Sequence, residues 1–202
     1  LATLPANTET YTDTDLQQAN YFYRLKATNT IGVSPASNTI QTNDYQTEIQ
    51  NIVYVSATGA GNMDGTSVSN AMDNFDAALT NITSEGDKLI IIGTITPDGA
   101  NLTSKNFAFT VEGLDDSSAL DGNGGTGRLF TINGATSADV TFKNLTFSGH
   151  DTTLAGGSVL FNNNAGATVT FNNCTITSNS VNNGAGGGAI FFANGNLNII
   201  DS

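Results

Sequence analysis

Acidic and amide side chains in several loops of the sequence could bind a hard cation. Asp115-Asp116 and residues 121–124, which read Asp-Gly-Asn-Gly, could bring carboxylate and carbonyl oxygens together, as could Asn62 with Asp64. Such oxygens are the ligands that Ca²⁺ prefers in proteins. The same residue types also favour tight turns, which is the interpretation we prefer. Asp64 and Asp121 are therefore the candidate metal ligands, and Ca²⁺ is the only candidate cofactor.

Few side chains could perform catalysis. His150 is the only histidine, and Asp151 follows it, but no serine with a nucleophile context accompanies the pair. We therefore interpret His150 as a solvated loop residue. Arg128 and Lys143 lie in the most regular part of the sequence, and neither lies among carboxylates that could act with it as acid and base. The sequence predicts no catalytic residue, and we expect the chain not to be an enzyme.

The composition excludes several classes of partner. Charged residues make up 12% of the 202 residues, and 18 acidic side chains against 6 basic ones give a formal net charge of −12. No cluster of Lys and Arg could follow phosphates or anionic lipid, so nucleic acid is not an expected partner. No apolar run is long enough to span a bilayer, so direct membrane insertion is not expected. Cys174 is the only cysteine, which excludes an intrachain disulfide.

An internal repeat positions the residues of the C-terminal three-quarters of the chain. Residues 139–147, DVTFKNLTF, match residues 168–176, TVTFNNCTI, at an offset of 29. Further along, GGSVLFNNN from Gly156 matches GGAIFFANG from Gly187 at an offset of 31, and LNII from Leu197 begins a third copy. Units this short cannot enclose a core alone, but stacked units bury their inward side chains in continuous columns. The repeat therefore predicts a β-solenoid.

Alternation within the repeat predicts which side chains stack inside the solenoid. The predicted inward columns pair Val140, Phe142, Leu145 and Phe147 with Val169, Phe171, Cys174 and Ile176. Asn144 and Asn173 interrupt this apolar pattern at the same place in successive copies. Since asparagine tolerates the left-handed backbone of a sharp bend and its amide can bond the next coil, we interpret the pair as an asparagine ladder rather than a binding site.

The N-terminal segments are typical of antiparallel strands. Residues 9–16, 20–31 and 37–41 alternate apolar and polar side chains. The sequence resembles the C-terminal half of a fibronectin type III domain at Leu16, Tyr21, Tyr23, Leu25, Ala27, Asn29, Gly32 and Ser34. The resemblance implies that Tyr21 is a tyrosine-corner residue and that the module is a spacer. Residues 1–42 are thus predicted to be the C-terminal part of such a domain, and residues 43–51 a linker.

The segment after the linker resembles the start of secreted parallel β-helix proteins. The matching features are Tyr54-Val55-Ser56, Gly59, Gly65, Ala78-Leu79 and Gly86-Asp87. A helix over 69–80, with Ala71, Phe75, Ala78 and Leu79 inward, is predicted to cover the end of the first coil. The predicted fold is all-β: a partial fibronectin type III sandwich, then a right-handed single-stranded parallel β-helix over 52–202 with a short N-terminal capping α-helix.

Short motifs in the repeat indicate a function class. GGSV and GGAI, followed by FNNN and FFAN, resemble the repeats of polymorphic outer-membrane and adhesin-like proteins. The resemblance implies a fragment of a secreted, multidomain bacterial surface adhesin or fibre, extracellular, noncatalytic, and in contact with surface glycans or other cell-surface proteins. The alternative is the N-terminal part of an extracellular carbohydrate-active, polysaccharide lyase-like or glycan-binding protein, because such enzymes share the architecture.

Overall fold

The computed structural model describes residues 3–8, 10, 21–37, 39–42, 50–97, 99–102, 105–124, 127–133, 139–182 and 186–202. The chain divides into two compact units, Leu1–Ile49 and Gln50–Ser202. The second unit is all-β with very little helix.

The N-terminal unit contains an antiparallel hairpin. Strand β1 (Tyr21–Tyr23) pairs with β2 (Ile40–Thr42), and Thr28 bridges Val33 in the same antiparallel sense. The side-chain oxygen of Asn29 closes the turn by accepting from the backbone N–H groups of residues 31 and 32. The hairpin strands overlap two of the three segments predicted to be strands, 20–31 and 37–41. The predicted strand 9–16, apart from residue 10, and the Tyr21 side chain lie outside the described residues.

The remaining elements follow in chain order. They are β3 (Ile52–Ser56), a 3₁₀ turn (Val68–Asn70), α1 (Phe75–Thr80), β4 (Lys88–Ile92), β5 (Thr94–Ile95), β6 (Ala100–Asn101), β7 (Ala108–Gly113), β8 (Ala119–Asp121), β9 (Phe130–Ile132), β10 (Asp139–Lys143), β11 (Thr146–Ser148), β12 (Asp151–Thr152), β13 (Leu160–Asn162), β14 (Thr168–Asn172), β15 (Thr175–Thr177), β16 (Ser180–Val181), β17 (Ile190–Phe192) and β18 (Asn196–Ile200).

These strands form a parallel β-solenoid. Sheet 1 contains six strands in the order β18-β14-β10-β7-β4-β3, sheet 2 contains β15-β11-β8-β5, and sheet 3 contains β17-β13-β9-β6. A two-stranded patch of β12 and β16 adjoins them. All described pairings within this unit are parallel, and each neighbour in a sheet belongs to the next coil. Successive strands of each sheet therefore belong to successive coils, as expected for the solenoid that the repeat predicts.

The predicted offset of 29 residues is confirmed for the segments from which it was inferred, 139–147 and 168–176. Val140 pairs with Val169, and Phe142 with Phe171. Phe147 of β11 pairs with Ile176 of β15. The Phe142 ring stacks on that of Phe171 with centroids 5.0 Å apart. Apolar side chains at matching positions thus form continuous internal columns, and this burial stabilises short strands that could not be stable alone.

The predicted offset of 31 is wrong by one residue within the strands of sheet 3. Leu160 pairs with Ile190 and Phe161 with Phe191, an offset of 30. Three glycines at 186–188 face two at 156–157, so matching the motif by its glycines alone chose the wrong pair. A one-residue slip would exchange inward and outward faces. The observed register keeps Leu160 and Ile190 on the inner face and stacks the rings of Phe161 and Phe191 outside it.

The helical segment is shorter than the predicted helix over 69–80. A 3₁₀ turn at Val68–Asn70 and α1 at Phe75–Thr80 are separated by Met72, whose backbone pairs with β3 through Tyr54 and Ser56. The Asn74 side chain accepts from the Ala77 N–H and begins α1. The strand-like pairing at Met72 replaces the helical hydrogen bonds that a continuous helix would need. The four residues predicted to face inward are nevertheless buried: Ala71, Phe75, Ala78 and Leu79.

Candidate functional site

Asn144 and Asn173 lie at the corner between sheets 1 and 2 in successive coils. Their φ values are +53° and +51°, and Asp201 occupies a left-handed conformation one coil further on at +49°. The Asn173 amide donates from Nδ2 to Oδ1 of Asn144 at 2.9 Å. Each asparagine follows the last strand residue of sheet 1 and starts the turn into sheet 2. The pair joins two coils through side chains at a position where most other residues would be strained.

A second asparagine contact, which was not predicted from the sequence, lies after sheet 3. Asn194 donates from Nδ2 to Oδ1 of Asn163 at 2.9 Å. Beside it, the buried Asn162 donates from Nδ2 to the carbonyl oxygens of Asn164 and Asn194. The repeated FNNN and FFAN segments contained this signal, since both place an asparagine one or two residues after the end of the strand. The polar groups inside these turns are bonded to neighbouring coils.

His150 is buried, so its interpretation as a solvated loop residue is wrong. The residue is 2% exposed. Its Nε2 lies 3.0 Å from the carbonyl oxygen of Leu120 in the preceding coil, and its backbone N–H donates to Oδ1 of Asn179 in the following coil. Burial lowers the pKa of the imidazole, while the Leu120 carbonyl and the Asp121 carboxylate oppose that shift less strongly. His150 therefore links three coils.

The candidate metal ligands are engaged in turns. Oδ1 of Asp64 accepts from the backbone N–H and hydroxyl of Thr66 at 3.0 and 2.7 Å, and these bonds lower the pKa of its carboxyl group. Oδ1 of Asp121 accepts from the Asn123 N–H at 3.0 Å, and Asp115 binds Ser117 in the same way. In the part of the chain that the structure describes, no three His, Cys, Asp or Glu side chains lie close enough together to hold a metal ion.

Arg128 and Lys143 contact other residues of the solenoid. The Arg128 guanidinium lies 4.4 Å from the Phe161 ring centroid and donates to the carbonyl oxygens of Ala155 and Gly157. Lys143 forms an ion pair with Glu112 at 2.8 Å across the outer face of sheet 1. Arg128 therefore supports the ring stack of sheet 3, and Lys143 joins adjacent coils.

A buried carboxylate and a partly buried ammonium group fix the first coil. Asp87 is 1% exposed and accepts from the backbone N–H groups of Asn51, Thr83 and Ser84 at 2.8–2.9 Å. Lys105 donates to the carbonyl oxygens of Leu79 and Ile82, beside the C-terminal end of α1. Burial lowers the pKa of Lys105, against an opposing attraction to Asp87. These bonds tie the segment after α1 to the ends of two strands.

A shallow polar cleft of about 270 Å³ lies between α1 and β5. Asp73 and Asp76 line one side, and Thr94 and Thr96 line the other, while the floor contains the buried side chains of Phe75 and Ile95; the remaining lining residues are Ala57, Asn74 and Pro97. Carboxylates and hydroxyls could accept hydrogen bonds from a polyol, but the buried Phe75 ring offers little surface for stacking. The arrangement can bind a small polar group and contains no evident nucleophile–base pair.

Comparison with known proteins identifies no family for this chain. No protein-family model matches the chain, and neither a curated protein nor a solved structure shows significant similarity to it. Among the described helical residues, none belongs to a helix long and apolar enough to cross a membrane. The assignment of function therefore depends on the solenoid and its side chains.

Proposed function

We propose that the chain is a noncatalytic stalk or contact module of a secreted, multidomain bacterial surface adhesin or fibre. The supporting observation is that the three side chains considered for catalysis contact neighbouring coils. His150 binds Leu120 and Asn179, Arg128 lies on Phe161, and Lys143 pairs with Glu112. Such contacts make neighbouring coils mutually dependent and the solenoid stiff.

The outer surface supports an extracellular contact role. The outward positions of sheet 2 include Thr94, Thr146, Ser148, Thr175 and Thr177, which are partly or fully exposed. Uncharged hydroxyl groups on a regular sheet offer hydrogen bonds at many equivalent positions without a single deep pocket. This surface suits weak, repeated contacts with surface glycans or other cell-surface proteins, which are the partners we propose.

Three finer features belong to the same proposal. The hairpin of β1 and β2 would be part of a fibronectin type III sandwich that acts as a spacer. The α1 helix, whose Phe75, Ala78 and Leu79 are buried, would cap the first coil and protect its edge. The solenoid would be right-handed, because nearly all parallel crossover connections have that hand.

The cleft beside α1 favours glycan binding as a second candidate function. The Asp73 and Asp76 carboxylates could accept hydrogen bonds from sugar hydroxyls, and the Thr94 and Thr96 hydroxyls could both donate and accept. This candidate corresponds to the glycan-binding alternative predicted from the sequence, and it differs from the stalk in requiring one defined site.

An adhesion assay with the purified 202-residue chain tests the proposal. Beads coated with the chain are expected to bind surfaces carrying immobilised glycans or whole cells, and the chain is expected to release no product from acidic polysaccharides. Unsaturated sugar products, detected by their ultraviolet absorbance, would overturn the noncatalytic assignment. Failure to bind either kind of surface would overturn the contact role.

Charge-matched variants distinguish the two candidates. Asp73→Asn combined with Asp76→Asn alters the cleft, whereas Asp116→Asn combined with Asp201→Asn removes two exposed charges elsewhere. Loss of glycan binding in the first variant alone would assign binding to the cleft. Equal binding by both variants is the result expected for a distributed contact surface.

A further inference from the structure

His150 occupies a corner where three consecutive coils meet. Its ring contacts the Leu120 carbonyl of the preceding coil through Nε2. Its own backbone accepts from the Ser180 N–H of the following coil at 2.8 Å, and its N–H donates to the Asn179 side chain at 3.0 Å. The strand that follows, β12, pairs with β16 immediately after this residue.

The ring has little space in which to move. A Cβ atom added to Gly122 would lie 2.7 Å from Nδ1 of His150, so the glycine backbone packs directly against the imidazole. Protonation would place a full charge on a residue that is 2% exposed, where the charged form is poorly solvated. The neutral ring with a proton on Nε2 satisfies the Leu120 carbonyl.

The charged groups near the ring are two carboxylates. Asp121 follows Leu120 at the end of β8, and its attraction opposes the effect of burial on the imidazole without exceeding it. Asp151 is adjacent on β12, and both of its carboxylate oxygens accept from Nδ2 of Asn182, at 2.7 and 2.6 Å. The neighbours in the following coil, Asn179 and Ser180, are uncharged.

We infer that His150 is an acid-sensitive latch: protonation of its ring releases the corner formed by residues 120–122, 148–152 and 178–182 and leaves the pairing of sheet 1 intact. The direction of the pH dependence follows from the linkage between proton binding and folding. The pKa of the folded imidazole lies below its ordinary value of 6.5, so the folded state binds fewer protons than the unfolded state as the pH falls. The latch is closed above the unfolded pKa and opens as the pH falls toward the folded pKa.

The single histidine makes the inference directly measurable. Its imidazole gives one set of carbon-bound proton resonances, and their titration by NMR is expected to have a midpoint below 6.5. Each unit by which the pKa is lowered corresponds to about a tenfold bias against protonation of the closed corner. A midpoint at or above the ordinary value would overturn the inference, and this measurement on the unmodified chain does not depend on the folding of any variant.

Hydrogen exchange locates the opening. Between about pH 7.5 and about pH 5, after correction for intrinsic exchange, the amides of Gly122, Gly149 and Ser180 are expected to lose protection, by up to about tenfold for each unit by which burial lowers the imidazole pKa. Amides of β10 and β14 in sheet 1 are expected to keep theirs. Equal loss in both regions would indicate global destabilisation and would refute a local latch.

A glutamine at position 150 provides the matched control. His150→Gln keeps an N–H donor at a comparable distance from the backbone but does not titrate, so its corner is expected to show no pH-dependent loss of protection. The same loss in this variant would assign the effect to Asp121 or Asp151 and overturn the role of His150.

Discussion

Substitution of Gly157 by alanine tests the register of sheet 3. A Cβ atom at this position would lie 2.5 Å from the backbone nitrogen of Phe191 and would overlap the carbonyl oxygens of Leu160 and Ala189. Real Cβ atoms essentially never approach other heavy atoms closer than 3.0 Å. Because the obstructing atoms are backbone atoms of two coils, the strain cannot be relieved by a side-chain rotation.

The expected loss is large for the addition of one methyl group. Overpacking in a well-packed region typically costs 1–3 kcal/mol, and contact with the backbone of two coils places Gly157→Ala at the upper end, about 3 kcal/mol. For a chain of this length, each kcal/mol changes Tm by roughly 2–4 °C. Thermal unfolding followed by far-ultraviolet circular dichroism is therefore expected to show a decrease in Tm of roughly 6–12 °C.

Two further glycine variants decide between the registers. At an offset of 30, Gly157 corresponds to Gly187, whose added Cβ would overlap the Ile190 carbonyl oxygen, so Gly187→Ala should be similarly destabilising. Gly188→Ala is the control, because its nearest neighbour would lie 3.8 Å away. At an offset of 31, Gly157 would correspond to Gly188 instead. Equal effects of Gly157→Ala and Gly188→Ala, with a neutral Gly187→Ala, would refute the observed register.

Three other substitutions test contacts that hold the coils together. Asn173→Ala removes the amide contact to Asn144 and places alanine at a φ of +51°, so urea denaturation should show that the free energy of unfolding falls by about 2 kcal/mol. Asn173→Gly also removes the contact but relieves the backbone strain, so its free energy of unfolding should fall by about 1 kcal/mol. Asp87→Asn leaves at least one of three partly buried backbone N–H groups without its carboxylate acceptor, and a loss of about 2 kcal/mol is expected from thermal unfolding. An unchanged Tm would show that the carboxylate is dispensable. Phe142→Ala removes a fully buried ring that contacts Phe130 and Phe171, with an expected loss of about 4 kcal/mol in urea, while Phe22→Ala at an exposed position should have little effect on the solenoid.

The apolar columns of the solenoid could be predicted because burial constrains them on both sides. Val140 and Phe142 recur as Val169 and Phe171 at matching positions, and a phenylalanine that must stack on a phenylalanine leaves no freedom of register. The glycine-rich turn could not be aligned in the same way. Glycine contributes no side chain to the pattern, so the extra glycine at 186–188 concealed the one-residue difference in register that the strand pairing shows.

The polar contacts were harder to predict because they depend on the distance between coils. His150 lies in a polar stretch of sequence, yet the Leu120 carbonyl, 30 residues earlier, accepts a hydrogen bond from its ring nitrogen. The helix prediction followed the apolar spacing correctly, but the pairing of Met72 with β3 interrupts it. Asn144 and Asn173 were recognisable because their left-handed turn follows directly on a repeated strand, which is a local signal.

The pairing distances along sheet 1 have a consequence for how the solenoid folds. Paired residues are separated by between 22 positions, from Lys88 to Thr110, and 36 positions, from Ile52 to Lys88. Each new strand therefore closes a loop of nearly constant length, with an entropic penalty that changes by only about 0.5 kcal/mol across this range. Folding can begin at whichever adjacent pair of coils forms first and then advance coil by coil in both directions. Additional coils would add further steps of the same kind to folding, without making any single step slower.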